Sequence, residues 1–160
     1  GYAWYDNLPS GAPDPSDVQQ GLELIRSTVA AEVERGSADP ARLFALGFSQ
    51  GAVMVGGLLL TGAVSLAGGV MLSGALPQGA AIEQRRDGLA TQHVFLGHGQ
   101  YDEVIPPSAS RAAADSLSKF GADASLHVYD VAHQISLEEL RDVDAWLKAR
   151  LAAPGPLRRS

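Results

Sequence analysis

Between Leu43 and Leu72 two short apolar runs, Leu43–Phe48 and Gly69–Leu72, flank a segment, Ala52–Leu60, that carries no polar side chain at all. A helix without a polar face must be covered on all sides, and strands without polar alternation must be covered on both faces. The same alternation then continues. Val94–Leu96 reads as a strand, Pro107–Phe120 as a helix closed by Gly121, and Leu126–Val131 as another strand. Strand, helix and strand repeated with connections long enough to cross over predict an α/β fold: a mainly parallel sheet with helices on both faces.

Flanking segments are also readable. From Asp17 to Arg35 the residues Val18, Leu22, Ile25, Val29 and Val33 recur at three- and four-residue steps, after Pro15-Ser16 and before Gly36, which predicts a helix with one buried stripe. Ser136 and Glu139 form a capping box for a last helix, with Ile135 and Leu140 as its staple. Leu140, Val143, Leu147 and Leu151 should form its buried face, with Trp146 alongside. The aromatic Tyr2–Asp6 segment reads as extended and Asn7–Asp17 as a loop. At 160 residues one domain is expected, over residues 1–151, with a tail at 152–160.

Composition narrows the function. Twelve Lys and Arg against eighteen Asp and Glu give a net charge of −6, with no basic patch of the kind that phosphate contact requires, so nucleic acid is not an expected partner. Without cysteine there is no disulfide or thiol chemistry. The most apolar stretch, Gly51–Leu72, is broken by glycines and by Thr61 and Ser65, so no membrane span is expected. With no leader visible, the cytoplasm is the default compartment, and a lost N-terminal signal is compatible with it.

Function in such a sheet collects in loops at the carboxyl ends of strands. Just past the first of these ends stands Gly47-Phe-Ser49-Gln-Gly51, followed by the buried helix. Gly-x-Ser-x-Gly between strand and helix is a nucleophile elbow: the turn is so sharp that glycine is expected on both sides, and it lifts the Ser49 hydroxyl clear of the sheet. The bare pentapeptide also occurs as an ordinary glycine-rich turn, so partners are required. A serine hydroxyl needs a base, and the base needs an orienting carboxylate. Of four histidines, His93 and His127 lie in strands, whereas His98 and His133 follow strand ends. Asp102 stands in the loop after the Val94 strand and His133 in the loop after the Leu126 strand. The chain order Ser49, Asp102, His133 is that of the α/β-hydrolase architecture. His98 as the base would break that order, and bonding of the Asp102 loop is its simpler role. Asp130 reads as a turn residue and Glu103 as solvated. No carboxylate–histidine set has metal-ligand spacing, so no metal is expected.

At this point the chain resembles the phospholipase/carboxylesterase family of acyl-protein thioesterases and small carboxylesterases. The resemblance is carried by Trp4-Tyr-Asp6, Gly47-Phe-Ser-Gln-Gly51, Leu72-Ser-Gly-Ala-Leu-Pro77, Gly97-His-Gly-Gln-Tyr-Asp102 with Val104-Ile-Pro106, and His133-Gln134. It implies a serine esterase or thioesterase without metal or organic cofactor. Ser49 would be the nucleophile, Asp102 the acid, His133 the base, and the backbone N–H of Gln50 an oxyanion donor. The substrate is expected to be a small acyl ester or thioester, short-chained, with Trp4 and Leu76 either lining the acyl site or serving in ordinary core or edge packing. Family members begin with three further strands and a helix, and a His-Gly loop among these supplies part of the oxyanion hole. A shortened α/β-hydrolase is therefore expected, with a second oxyanion donor unidentified. The strand Leu43–Phe48 should present an open apolar edge, covered either by the Tyr2–Asp6 segment or, as the favoured expectation, by a second chain in a homodimer. The competing reading is a non-catalytic hydrolase-fold fragment acting as a subunit or binding module.

Overall fold

A computed structural model describes residues 3–77, 89–90 and 92–152. Four strands, β1 (Phe44–Phe48), β2 (Gly68–Leu72), β3 (His93–Gly99) and β4 (Asp123–Tyr129), pair in parallel in the order β1-β2-β3-β4. Phe48 is level with Leu72, Leu72 with Gly97, and Gly97 with His127. This register brings the loops that leave all four strands to one rim.

Helices α1 (Pro15–Glu34), α2 (Gln50–Thr61), α3 (Pro107–Lys119) and α4 (Leu137–Ala152) complete the layers, with a turn of 3₁₀ helix at Pro40–Arg42. Side chains alternate across the central strands because successive residues of a strand point to opposite faces. Met71, Val94 and Leu96 join Val18 and Leu22 of α1, Ala52–Val55 and Leu58 of α2, and Ala113 and Leu117 of α3 in one cluster. Val70, Leu72 and Phe95 face Val143 and Trp146 of α4 in a second. Each fully buried large apolar side chain contributes about 1.5–3 kcal/mol, so β2 and β3, covered on both faces, are the thermodynamic centre.

Helix ends follow the chemistry of the sequence. Asp14 accepts from the Ser16 N–H at 2.9 Å, Pro15 opens α1 where no backbone donor is required, and Gly36, at φ +72°, closes it. In the capping box the Glu139 N–H donates to Ser136 Oγ at 3.0 Å, and the Ser136 N–H reaches Glu139 Oε2 at 3.4 Å.

Three expectations are corrected. The buried face of α4 is Glu139, Val143 and Trp146, while Leu140 and Leu151 are exposed. The helix is rotated so that Trp146 can meet Phe44 and Phe95 edge-on, at ring-centroid distances of 6.0 and 6.1 Å. Two of the five α1 stripe residues, Ile25 and Val29, border a cavity, Ile25 also packing against the core cluster. Finally, Trp4–Asp6 forms no strand; near it the chain makes only an isolated antiparallel bridge, Asn7 to Pro13. Nothing pairs with the outer edge of β1 among the described residues, and Leu46 is 55% exposed there. Tyr2 and the tail from Ala153 lie outside the described residues. Among those described, no helix is long and apolar enough to cross a membrane.

Glu139 is buried against β3, where a Cβ on Gly97 would overlap its carboxyl, and Oε1 has no partner among the described residues. Burial pushes this carboxyl above the usual glutamate range, opposed only by the Ser136 N–H. The native state therefore holds the proton more tightly than the unfolded chain. The contribution of this carboxyl to stability is full below the unfolded glutamate value and is lost as pH rises through the raised native one. Urea midpoints measured across that window should slope downward for the wild type, and the slope should flatten in Glu139→Gln.

Candidate active site

The turn from β1 to α2 is set by one close approach. A Cβ on Gly47 would overlap the Gly51 carbonyl and lie 2.6 Å from the Ala52 nitrogen, so only glycine lets the helix fold back this tightly. Ser49 sits at the apex with φ 55° and ψ −116°, a backbone conformation that is costly for any residue but glycine and persists only when its surroundings enforce it. Its N–H is tied to Leu72 O at 2.9 Å, and its own carbonyl accepts from Ala52 and Val53 at the head of α2. A Cβ on Gly51, by contrast, would come only within 3.9 Å of Trp4 Nε1, an ordinary contact. The two glycines expected to be equally necessary are not.

The structure brings Ser49, His133 and Asp102 together. His133 Nε2 lies 3.0 Å from Ser49 Oγ, and His133 Nδ1 lies 2.7 Å from Asp102 Oδ2. Because a carboxylate only accepts, the Nδ1 hydrogen donates to it, leaving the Nε2 lone pair for the serine hydroxyl. Asp102, whose side chain is fully buried, accepts on Oδ1 from the Val104 and Ile105 N–H groups, each at 2.9 Å. Burial pushes its pKa up, but the hydrogen bonds from His133, Ile105 and Val104 outweigh this and hold it below the usual aspartate value. The His133 ring packs on Phe48 at a centroid distance of 4.9 Å and is 19% exposed. The base is thus gripped on one side and open on the other.

The remaining candidates separate cleanly. His93 pairs with Asp123 at 2.8 Å on the surface, and His127 stacks on Phe95 at 4.4 Å. Asp130 accepts from Gln100 Nε2, and Glu103 is exposed. His98 is wholly buried behind Asp102.

Gln50 begins α2, and its backbone N–H has no acceptor among the described residues. Its side chain does something that sequence reasoning missed. Gln50 Oε1 accepts from the Trp4 N–H at 3.0 Å, and Gln50 Nε2 donates to the Tyr5 carbonyl at 3.1 Å. One amide thus engages backbone groups of two adjacent residues and pins the N-terminal segment to the head of α2. The Trp4 N–H is consequently engaged and is not a free oxyanion donor.

Beside Ser49 and the edge of β1 lies an open cavity of about 600 Å³, bordered by Trp4, Ile25, Leu46, Ser49, Gln50 and Leu58. Trp4 borders it as expected. Leu76 is instead half-buried in the core cluster, where a Cβ on Gly56 of α2 would come within 2.9 Å of its Cδ2.

Fold and rim together define an α/β-hydrolase architecture with a serine–histidine–aspartate constellation. A phospholipase/carboxylesterase family profile matches residues 1–151, and the chain belongs to that family. A probable carboxylesterase of Oryza sativa subsp. japonica is 33% identical over 158 residues, covering 94% of this chain and 59% of that protein. Acyl-protein thioesterase 1 of Eremothecium gossypii is 32% identical over 161 residues, covering 96% of this chain and 68% of its own length. The crystal structure of the carboxylesterase SOBER1 from Arabidopsis thaliana superposes with a TM-score of 0.80 at 26% identity, covering 93% of this chain and 74% of that one. The chain thus spans about three-fifths of the length of the rice relative.

The asymmetry of the elbow is testable. Gly47→Ala should abolish recovery of folded protein, whereas Gly51→Ala should fold with a melting temperature close to that of the wild type; equal tolerance at both positions would contradict the steric account.

Proposed function

We propose that the chain is a serine hydrolase that cleaves small acyl esters or thioesters through an acyl-enzyme. The observation that carries this reading is the unbroken line from Ser49 Oγ through His133 to Asp102, open to a cavity. The carboxylesterase and acyl-protein thioesterase names of the relatives support the same class of bond.

His133 Nε2 takes the Ser49 proton as Oγ attacks the acyl carbonyl, and Asp102 stabilises the imidazolium that forms. Collapse of the tetrahedral intermediate passes the proton from His133 to the departing alcohol or thiol and leaves Ser49 acylated. Water then attacks the acyl group, His133 accepts its proton and returns it to Ser49, and the carboxylic acid departs. The Gln50 N–H, unbonded at the positive end of α2, is the oxyanion donor. With Trp4 N–H engaged by the Gln50 side chain, one donor acts alone among the described groups. Loss of a second donor costs about 10²- to 10³-fold in turnover, so turnover should be slow. The open, shallow apolar cavity favours short acyl chains.

A fluorophosphonate should label the wild type and fail to label Ser49→Ala. Asp102→Asn should lower kcat by about 10⁴-fold, the effect of that substitution in other triads. p-Nitrophenyl acetate should turn over faster than the palmitate ester. A folded chain that takes no label is the outcome of the competing reading, a non-catalytic subunit or binding module.

We propose further that two chains associate through β1. The support is local: β1 leaves its outer edge unpaired among the described residues, and Leu46 projects from it at 55% exposure, the combination that invites edge-to-edge pairing. Light scattering on the size-exclusion peak should give a dimer mass, reduced to the monomer mass in Leu46→Lys. A wild-type monomer at all concentrations would overturn the association.

A further inference from the structure

We propose that His98 is a positioning residue for the acid of the triad, the middle of a buried brace that ties the Asp102 carboxylate to the turn behind Ser49. The inference rests on the hydrolase reading above and concerns a group which that mechanism leaves unused. His98, at 0% exposure, is the penultimate residue of β3. Its Nε2 lies 2.8 Å from the Ile105 carbonyl and 3.3 Å from Asp102 Oδ2. A carbonyl only accepts, so Nε2 carries the hydrogen and donates it to Ile105, with Asp102 Oδ2 lying beside that N–H.

Asp102 accepts three hydrogen bonds, from Val104 and Ile105 on Oδ1 and from His133 on Oδ2, with His98 Nε2 3.3 Å away on the Oδ2 side. His98 acts on this set through Ile105: it donates to the carbonyl of the residue whose own N–H holds Oδ1. His98 thereby anchors the acid's loop without taking part in the proton transfer.

The other end of the ring is fixed as firmly. Ser110 Oγ on α3, a side chain 1% exposed, lies 2.6 Å from Nδ1 and 2.9 Å from the Gly74 carbonyl, so its single hydrogen is held between these two acceptors. Gly74 belongs to the turn after β2, where Ser73 has a positive φ of 47°; a Cβ on Gly74 would overlap Ala52 and come within 3.3 Å of the Ser49 carbonyl. The brace therefore runs from the wall of the nucleophile turn, through α3 and the end of β3, to the acid. On the other side of His98, Gly99 lets the base's loop pack directly on β3, since a Cβ there would overlap the Val131 and Ala132 carbonyls. The strand end that carries His98 thus touches all three parts of the site.

The experiment measures kcat for p-nitrophenyl acetate per serine titrated with a fluorophosphonate, so that misfolded molecules are not counted. His98→Leu should lower kcat per titrated site by about ten- to a hundredfold, as expected when the buried Ile105 carbonyl loses its donor and the acid's loop its anchor, with KM unchanged. His98→Gln, whose amide can place a donor toward the Ile105 carbonyl and an oxygen toward Ser110, should recover most of the rate. Ser110→Ala, which removes the far anchor and leaves the Nε2 donor, should show a smaller loss in the same direction. Wild-type kcat per titrated site in His98→Leu overturns the proposal; if that variant does not fold, wild-type kcat in Ser110→Ala overturns it. Absence of labelling in the folded wild type overturns the hydrolase reading itself, a pattern distinct from labelled variants with normal turnover.

Discussion

The backbone contact between Gly47 and the first turn of α2 is the constraint from which the site follows. Because nothing larger than hydrogen fits at position 47, α2 can reverse tightly against β1, and Ser49 is forced into a strained conformation at the rim. Strain of this kind costs about 1–3 kcal/mol. It is offset by the burial of α2, in which every residue from Ala52 to Leu60 is inaccessible to solvent. The same packing that makes the helix a core element holds the serine in place, so stability and geometry at this position are one problem.

The second constraint is electrostatic. A carboxylate taken out of solvent is stable only when it is hydrogen-bonded or paired, and Asp102 draws its donors from its own loop and from the loop after β4, with His98 at the end of β3 beside it. That demand explains why a short, sharply turned segment, His98–Ile105, supplies both the acid and its backbone donors. It also gives a reason for the two glycines around His98: side chains at 97 and 99 would collide with Glu139 and with the base's loop. Asp102 is dry and held by three hydrogen bonds, whereas His133 keeps one exposed edge.

The β1 side is organised differently. β2 and β3 are closed on both faces, but β1 faces an open trench whose far wall is the half-buried Ile25 and Val29 of α1. Gln50 links the two halves of this region: it opens α2 directly after Ser49, and its side chain clamps Trp4 and Tyr5, so the N-terminal segment is held to the head of α2 by two hydrogen bonds from one amide.

The periodic and sterically forced features were legible in the amino-acid order alone. Uninterrupted apolar runs around Leu46, Val70 and Val94 announced a sheet covered on both faces, and Gly47-x-Ser49 at a strand end announced the elbow. The order of Ser49, Asp102 and His133 anticipated their convergence, because parallel strands deliver their following loops to one edge. Tertiary contact decided what local pattern does not encode. The roll of α4 was chosen by Trp146 seating on Phe44 and Phe95, which placed Glu139 rather than Leu140 inside. The path of Trp4–Asp6 was set by the Gln50 amide, 46 residues from Trp4, and by Asp17, whose Oδ2 accepts from the Asp6 N–H. The Ser110–His98 brace has no sequence signature, since Ser110 is an ordinary small residue in a helix until packing sets it between Gly74 and an imidazole. Hydrophobic period and glycine sterics act over a few residues and can be read along the chain; hydrogen bonds between distant polar groups exist only once the fold has removed the water that would otherwise satisfy them.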